Sequence, residues 1–344
     1  MSLSSHRTIL PDAKPGVSAG TCVQGVLQLP RRLSLHHGGS LEQPCVAWRL
    51  AGRADAPVIL ALGGISSHRR VFDTEQPLAG WWHALVGAGR PLDSTRVCVL
   101  GIDYLGGSGQ SSGPVAGGVF PSLSSYDQAE ALAQLLDHLQ IARLRAIVGA
   151  SYGGMVALAF AERHGHRIEQ LLVISAADRA HPMATAWRSV QRRMVRFALA
   201  AGRPTEGLEL ARALAMATYR SPEEFAARFE SAPRQLDGRF VFPVEEYLCA
   251  RGRDYAARHL AESFLCLSES IDLHAVDATC VATPTTVVAV REDQLVPIGD
   301  MRGLASRLPR ASLYELSSPY GHDAFLKESE ALQPVFESLY GVLE

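Results

Sequence analysis

The residues able to do chemistry gather first around Ser151, in the run Val148-Gly149-Ala150-Ser151-Tyr152-Gly153-Gly154-Met155. Gly149 and Gly153 stand two residues before and two after the serine, a G-x-S-x-G spacing. The apolar run Leu144 to Val148 reads as a strand leading in, and Met155 to Ala161 as a helix leading out. That setting makes the segment a nucleophile elbow. Small residues allow a sharp turn, and the hydroxyl is pushed out over the sheet end at the positive end of a helix. With 30 glycines in 344 residues the bare spacing is weak evidence. The strand-turn-helix context carries the reading.

A serine hydroxyl needs a base to act as a nucleophile, and the base needs an orienting acid. Both follow Ser151 in chain order. Asp293, in Arg291-Glu292-Asp293-Gln294, comes just after an apolar run at 285–290; His322, in Tyr320-Gly321-His322-Asp323, comes just after another at 311–316. Carboxyl ends of strands are where open parallel sheets place their sites. Glu292 is the alternative acid. For the oxyanion, the Tyr152 N–H is one expected donor, and Gly64 or Ile65 in the loop Gly63-Gly64-Ile65-Ser66-Ser67-His68 supplies the other. His68 beside that loop reads as structural. The run Asp103-Tyr104-Leu105-Gly106-Gly107-Ser108-Gly109-Gln110 invites a dinucleotide reading but fails its spacing, since Ser112 stands where the third glycine belongs.

These groups need a scaffold, and the pattern supplies one. Cys22 to Leu29 and Cys45 to Leu50 alternate like a half-exposed antiparallel hairpin at a sheet edge. Pro57–Leu62, Arg96–Asp103, Gln170–Ser175 and Pro284–Val290 are apolar runs of strands buried on both faces. Ser125 to Leu139 reads as a helix with Ser125 and Gln128 as its capping box. Strands alternating with helices predict an α/β fold with a mostly parallel central sheet. Residues 179 to about 280 hold helical patterns without a strand-like run of this kind, and read as a helical cap inserted into the core. The division is therefore 1–178 core, 179–280 cap, 281–344 core. Within the cap, residues 187, 190, 194 and 197 share an apolar face, while Arg188, Arg192 and Arg196 line what reads as a solvated one. Glu330 to Leu343 reads as a closing helix.

Composition narrows the partners. A net charge of −2 implies no general attraction to nucleic acid or membrane. The six cysteines form no C-x-x-C or metal-like cluster, Met1 to Leu10 holds no apolar leader segment, and no run approaches a membrane span. A reduced, cytoplasmic enzyme without a metal is expected.

The chain resembles the homoserine O-acyltransferases of the α/β-hydrolase fold, which include acetyl-, succinyl- and serine-using members. The resemblance rests on Gly149 to Met155, on Ala217-Thr218-Tyr219-Arg220-Ser221 in the cap, and on Ser318-Pro319-Tyr320-Gly321-His322-Asp323-Ala324-Phe325-Leu326. Weaker similarity runs through Gly106 to Pro114 and Phe242 to Leu248, so nearly the whole chain is covered. It implies Ser151, Asp293 and His322 as a triad, Arg220 on the acceptor's carboxylate and Asp323 on its ammonium group. It further implies acyl-CoA and L-homoserine as small-molecule substrates, no cofactor beyond acyl-CoA as co-substrate, a role in supplying a methionine precursor, and a homodimer. The chain departs from the family where Ala150 replaces a usual Gly, where Tyr152 replaces a frequent Met, and in the Gly63–His68 loop, which approximates the family's pattern. Leu295 stands two residues after Asp293, where succinyl-using members often carry Arg, which favours an acetyl donor. L-serine as acceptor, and a plain esterase or thioesterase, are the alternatives.

Overall fold

The computed structural model describes residues 21–29, 32–73 and 80–340. The reading of Met1 to Leu10 and the end of the closing helix lie outside them. Eight strands form the main sheet: β1 (Thr21–Gln28), β2 (Cys45–Gly52), β3 (Val58–Leu62), β4 (Cys98–Ile102), β5 (Ala146–Ala150), β6 (Leu171–Ile174), β7 (Thr285–Val290) and β8 (Ala311–Leu316). Their spatial order is β1-β2-β4-β3-β5-β6-β7-β8. β2 runs antiparallel to both β1 and β4, and the rest pair in parallel. The chain winds outward in opposite directions from β3 and β5, so their carboxyl ends flank a switch point, where a crevice opens.

Burial explains the sheet's sequence. β4, β5 and β6 are buried at every position because apolar side chains cover both faces. One face carries α1 (Ser125–His138), α2 (Tyr152–His164) and α8 (Ile298–Arg307). The other carries Trp82 and the closing segment, α9 (Ala324–Lys327) and α10 (Ser329–Glu337).

The start of α1 corrects the expected cap by one residue. Ser124 is the N-cap and closes its box with Asp127, whose carboxylate accepts from the Ser124 N–H at 2.7 Å. Ser125 and Gln128 point elsewhere: Ser125 Oγ meets His274 Nδ1 at 2.7 Å, and Gln128 clamps the Leu105 backbone with bonds of 3.0 and 2.8 Å.

Between β6 and β7 stands the cap: α3 (Pro182–Ala200), α4 (Pro204–Tyr219), α5 (Pro222–Arg228), α6 (Pro243–Ala256) and α7 (Ala261–Asp272). An antiparallel bridge from Arg179 to Ala275 joins the strands of its stem. A small core of its own, including Val195, Leu208, Tyr255 and Phe264, holds the helices together. Two expectations change here. A short exposed hairpin, Arg234–Leu236 with Arg239–Val241, sits in the segment read as helical and without a buried strand-like run. Asp237 and Gly238 both take positive φ in its turn, at 49° and 76°, the conformation an Asp-Gly pair supplies. The packed face of α3 also differs. Ala184, Gln191 and Val195 are buried while Phe197 stays 80% exposed. Arg188 and Arg192 turn inward instead, both onto Asp272, at 2.6 Å each.

Candidate active site

Ser151 occupies the single residue between β5 and α2, with φ 54° and ψ −125°. A non-glycine residue in that region stores about 1–3 kcal/mol of strain, which the surroundings must hold. They do so through the backbone. The Ser151 N–H donates to Ile174 O at 2.9 Å, and the Gly153 N–H donates to Gly63 O at 2.9 Å. No side chain fits at the two flanking glycines. A Cβ on Gly149 would lie 2.4 Å from Gly153 O, and one on Gly153 would lie 2.4 Å from Leu62 O. The turn therefore aims Oγ over the sheet end, with the N-terminus of α2 behind it.

His322 reaches Ser151 Oγ with Nε2 at 2.8 Å and Asp293 Oδ2 with Nδ1 at 2.7 Å. The carboxylate can only accept, so Nδ1 carries the proton and Nε2 is left as the base facing the hydroxyl. Asp293 is itself fixed, since its Oδ1 accepts from the Leu295 and Val296 N–H groups at 2.9 and 3.0 Å. Glu292, the alternative acid, faces away. It accepts from Ser317 Oγ and, at 2.7 Å, from the Ser318 N–H, and so ties the β8 loop to the β7 loop. Gly321 lets the His loop close in, at φ 52° with a Cβ position only 2.7 Å from Tyr219 O.

Burial alone would lower the His322 pKa. The charge and hydrogen bond of Asp293 outweigh it, with Asp323 adding to them, and leave the group above its ordinary 6.5. An imidazolium formed during the reaction is thereby stabilised.

The chamber in front of Ser151 has a volume of about 180 Å³. Gly64 and Ile65 line it opposite the serine, and a Cβ on Gly64 would lie 3.9 Å from Ser151 Oγ. Among the described residues, the amides of Gly64, Ile65 and Tyr152 donate to no protein acceptor. They are free to hold a developing oxyanion. The Tyr152 side chain is turned away, its hydroxyl 2.7 Å from Ser270 Oγ in the interior. Arg179, Arg188 and Leu295 also border the chamber.

Asp323 lines the chamber beside His322, whereas Arg220 sits behind it. Arg220 Nε is 3.5 Å from Asp323 Oδ2, and another guanidinium nitrogen donates to Glu224 Oε1 at 2.7 Å. The Tyr320 ring lies 5.5 Å away. The structure thus brings Ser151, His322, Asp293, Gly64, Ile65, Tyr152 and Asp323 to one place and sets Arg220 one layer back. A residue not singled out in the sequence also enters. Arg212 borders the chamber between the rings of Tyr219 and Tyr255, 5.2 and 4.8 Å away. Its position one heptad before Tyr219, on the same face of α4, was the available signal. His68 makes no contact with the triad; its Nδ1 accepts from the Arg70 N–H at 3.2 Å. The glycine-rich run after β4 is a folded loop. Asp103 there accepts from the amides of Arg69 and Gln110 at 2.8 Å each and pairs with the Arg69 guanidinium.

Sheet order, elbow and triad together define an α/β-hydrolase-fold protein, and the sequence profile of the α/β hydrolase fold matches residues 57–329. The chain is 44% identical over 326 residues to homoserine O-succinyltransferase of Xanthomonas campestris pv. campestris, covering 94% of this chain and 84% of that protein. It is 33% identical to serine O-succinyltransferase of Litchfieldella anticariensis, covering 90% and 96%. The fold matches the crystal structure of homoserine O-acetyltransferase from Bacillus anthracis with a TM-score of 0.84, at 16% identity, over 94% and 98% of the chains. The chain belongs to the homoserine O-acyltransferase family.

Proposed function

We propose that the protein transfers an acyl group from acyl-CoA to the hydroxyl of L-homoserine through an acyl-Ser151 intermediate. The observation that carries the reading is the hydrogen-bonded series Ser151–His322–Asp293, at 2.8 and 2.7 Å, opening into an enclosed chamber beside Asp323. Ser151 Oγ attacks the thioester carbonyl as its proton passes to His322 Nε2. The amides of Tyr152 and of Gly64 or Ile65 hold the oxyanion, and the CoA thiol leaves with the proton from His322. The acceptor hydroxyl then gives its proton to His322 and attacks the acyl-serine, releasing the ester. Asp323 takes the acceptor's ammonium group and Arg220, behind it, its carboxylate. Acyl-CoA enters as a co-substrate, and the chemistry calls on no further cofactor.

For the donor we favour succinyl-CoA over the acetyl-CoA suggested by Leu295. Arg179 borders the chamber and offers a carboxylate the cationic partner that position 295 lacks. The 44% identical relative bears a succinyltransferase name. Thiol release from succinyl-CoA and acetyl-CoA, each with homoserine, serine or no acceptor, tests both choices. Acceptor-dependent release with homoserine and succinyl-CoA is expected. Release indifferent to the acceptor makes the protein a thioesterase.

The proposal includes a cytoplasmic homodimer. Met183, Val190 and Phe197 recur along α3 at exposures of 53%, 45% and 80%, a stripe suited to a second copy, and no described helix is long and apolar enough to cross a membrane.

A further inference from the structure

A second cavity adjoins the chamber, with a volume of about 570 Å³ against the chamber's 180 Å³. The two share Arg212 and Asp323, but the far wall of the second comes from α5 and α6, which contribute nothing to the chamber. Its charge is unlike that of the chain, whose net charge is −2. Arg212, Arg220, Arg228, Arg251 and Lys327 line it against Glu224 and Asp323, and Arg251 also pairs with Asp254 at 2.8 Å just outside the lining, which leaves an excess of two positive charges. Glu224 is shared by Arg220 at 2.7 Å and Arg228 at 3.4 Å. Arg212 and Lys327 meet no carboxylate among the described residues.

Its walls also hold unmet polar atoms. Glu224 Oε2 and Tyr247 OH are buried without a hydrogen-bond partner, and Arg220 Nε makes no hydrogen bond but faces Asp323 Oδ2 at 3.5 Å; these are three of seven such side-chain atoms among the described residues. Arg220 is only 9% exposed. Buried polar groups are almost always satisfied, so their concentration here points to a ligand that completes them. One carboxylate is matched by a single bidentate arginine, and two surplus cations suit a polyanion. An acyl-CoA donor carries its thioester on a long amide-containing arm that ends in a diphosphate and a sugar phosphate.

We propose that this cavity receives the phosphates of the acyl-CoA donor, held by Arg228, Arg251 and Lys327, and that the arm passes to Ser151 between Arg212 and Asp323. The Glu224 carboxylate and Tyr247 hydroxyl offer partners to the amides of the arm. This inference rests on the acyl-CoA reading above.

The test is calorimetric binding of free CoA to the wild-type protein, to Arg251→Ala, which alters an exposed side chain, and to the Arg228→Gln/Lys327→Ala double variant. The kinetics of succinyl-CoA and of succinyl-pantetheine, which lacks the phosphates, are measured in parallel. The double variant should bind CoA roughly tenfold more weakly or worse, with Arg251→Ala intermediate, as expected for lost charge-assisted contacts. The KM for succinyl-CoA should rise several-fold more than that for succinyl-pantetheine. Unchanged CoA binding, equal increases for the two donors, or an increase confined to the KM for homoserine would each overturn the assignment. CoA binding that weakens as stated in a protein that transfers nothing to homoserine would sustain the cavity while defeating the transferase reading.

Discussion

His322 is held between the Asp293 carboxylate and the Ser151 hydroxyl, and its protonation state governs whether it can act as a base. The imidazole must be neutral to accept the Ser151 proton, and the nearby Asp293 raises its pKa above 6.5. Activity should therefore fall as pH drops through a value above 6.5, read as the acidic limb of kcat/KM against pH. Asp293→Asn removes both the charge and the tautomer control. It should lower kcat by about 10⁴-fold and move the limb to lower pH. Retention of full activity would transfer the acid role elsewhere. Asp323→Asn should raise the KM for homoserine more than it slows thiol release in the first turnover, because the first half-reaction precedes the acceptor. Equal loss in both half-reactions would make Asp323 structural. At this scale the sequence was most legible where chemistry is local. The elbow is a contiguous motif, and Asp293 and His322 each follow a strand. The setting of Arg220 was only partly legible: Glu224 is its i,i+4 neighbour, but Tyr320 and Asp323 meet it only after the cap folds onto the β8 loop.

The cap is secured to the core by buried polar elements at its stem. His274 Nε2 donates to Ala177 O at 3.1 Å, so its Nδ1 accepts from Ser125 Oγ, linking the end of the cap to β6 and to α1. Burial pushes its pKa from 6.5 down to about 4. The unfolded chain therefore takes up that proton first as pH falls. The stability contributed by the neutral, buried ring is complete above 6.5 and is lost as pH falls towards about 4. At 1.36 kcal/mol per unit the loss approaches about 3 kcal/mol. Urea midpoints at pH 7 and pH 5 should separate more for the wild type than for His274→Gln, and equal separations would contradict the account. Asp272 holds α3 against α7 through Arg188, Arg192 and Thr185. Asp272→Ala would strand two largely buried guanidinium groups and should cost about 3 kcal/mol in the same assay. This clamp explains why the α3 arginines read as a solvated face. Their partner lies on another helix, and pairing makes their burial tolerable. The hairpin at 234–241 escaped the pattern because its strands are three residues long and largely exposed, leaving no apolar alternation. The doubly buried strands could be read because burial on both faces demands apolar runs.

Across the whole molecule, the sheet presents four loops, after β3, β5, β7 and β8, at the crevice and the cap closes over them. The result is a chamber in front of Ser151 under the cap. In the proposed transfer the cap serves to limit hydrolysis, since an acyl-serine open to solvent would be lost. The mostly parallel pairing of the sheet was foreshadowed by the alternation of strands and helices, though its strand order was not. The sharing of Arg212 and Asp323 between two cavities was not, because cavities form between elements remote in sequence. The most direct test of the account is intact-protein mass spectrometry after mixing with succinyl-CoA alone, followed by addition of homoserine. The account predicts one succinyl group on Ser151, absent from Ser151→Ala, that disappears on addition of homoserine as O-succinylhomoserine forms. Transfer without any acyl-enzyme, or an acyl-enzyme that decays at the same rate with and without homoserine, would contradict it.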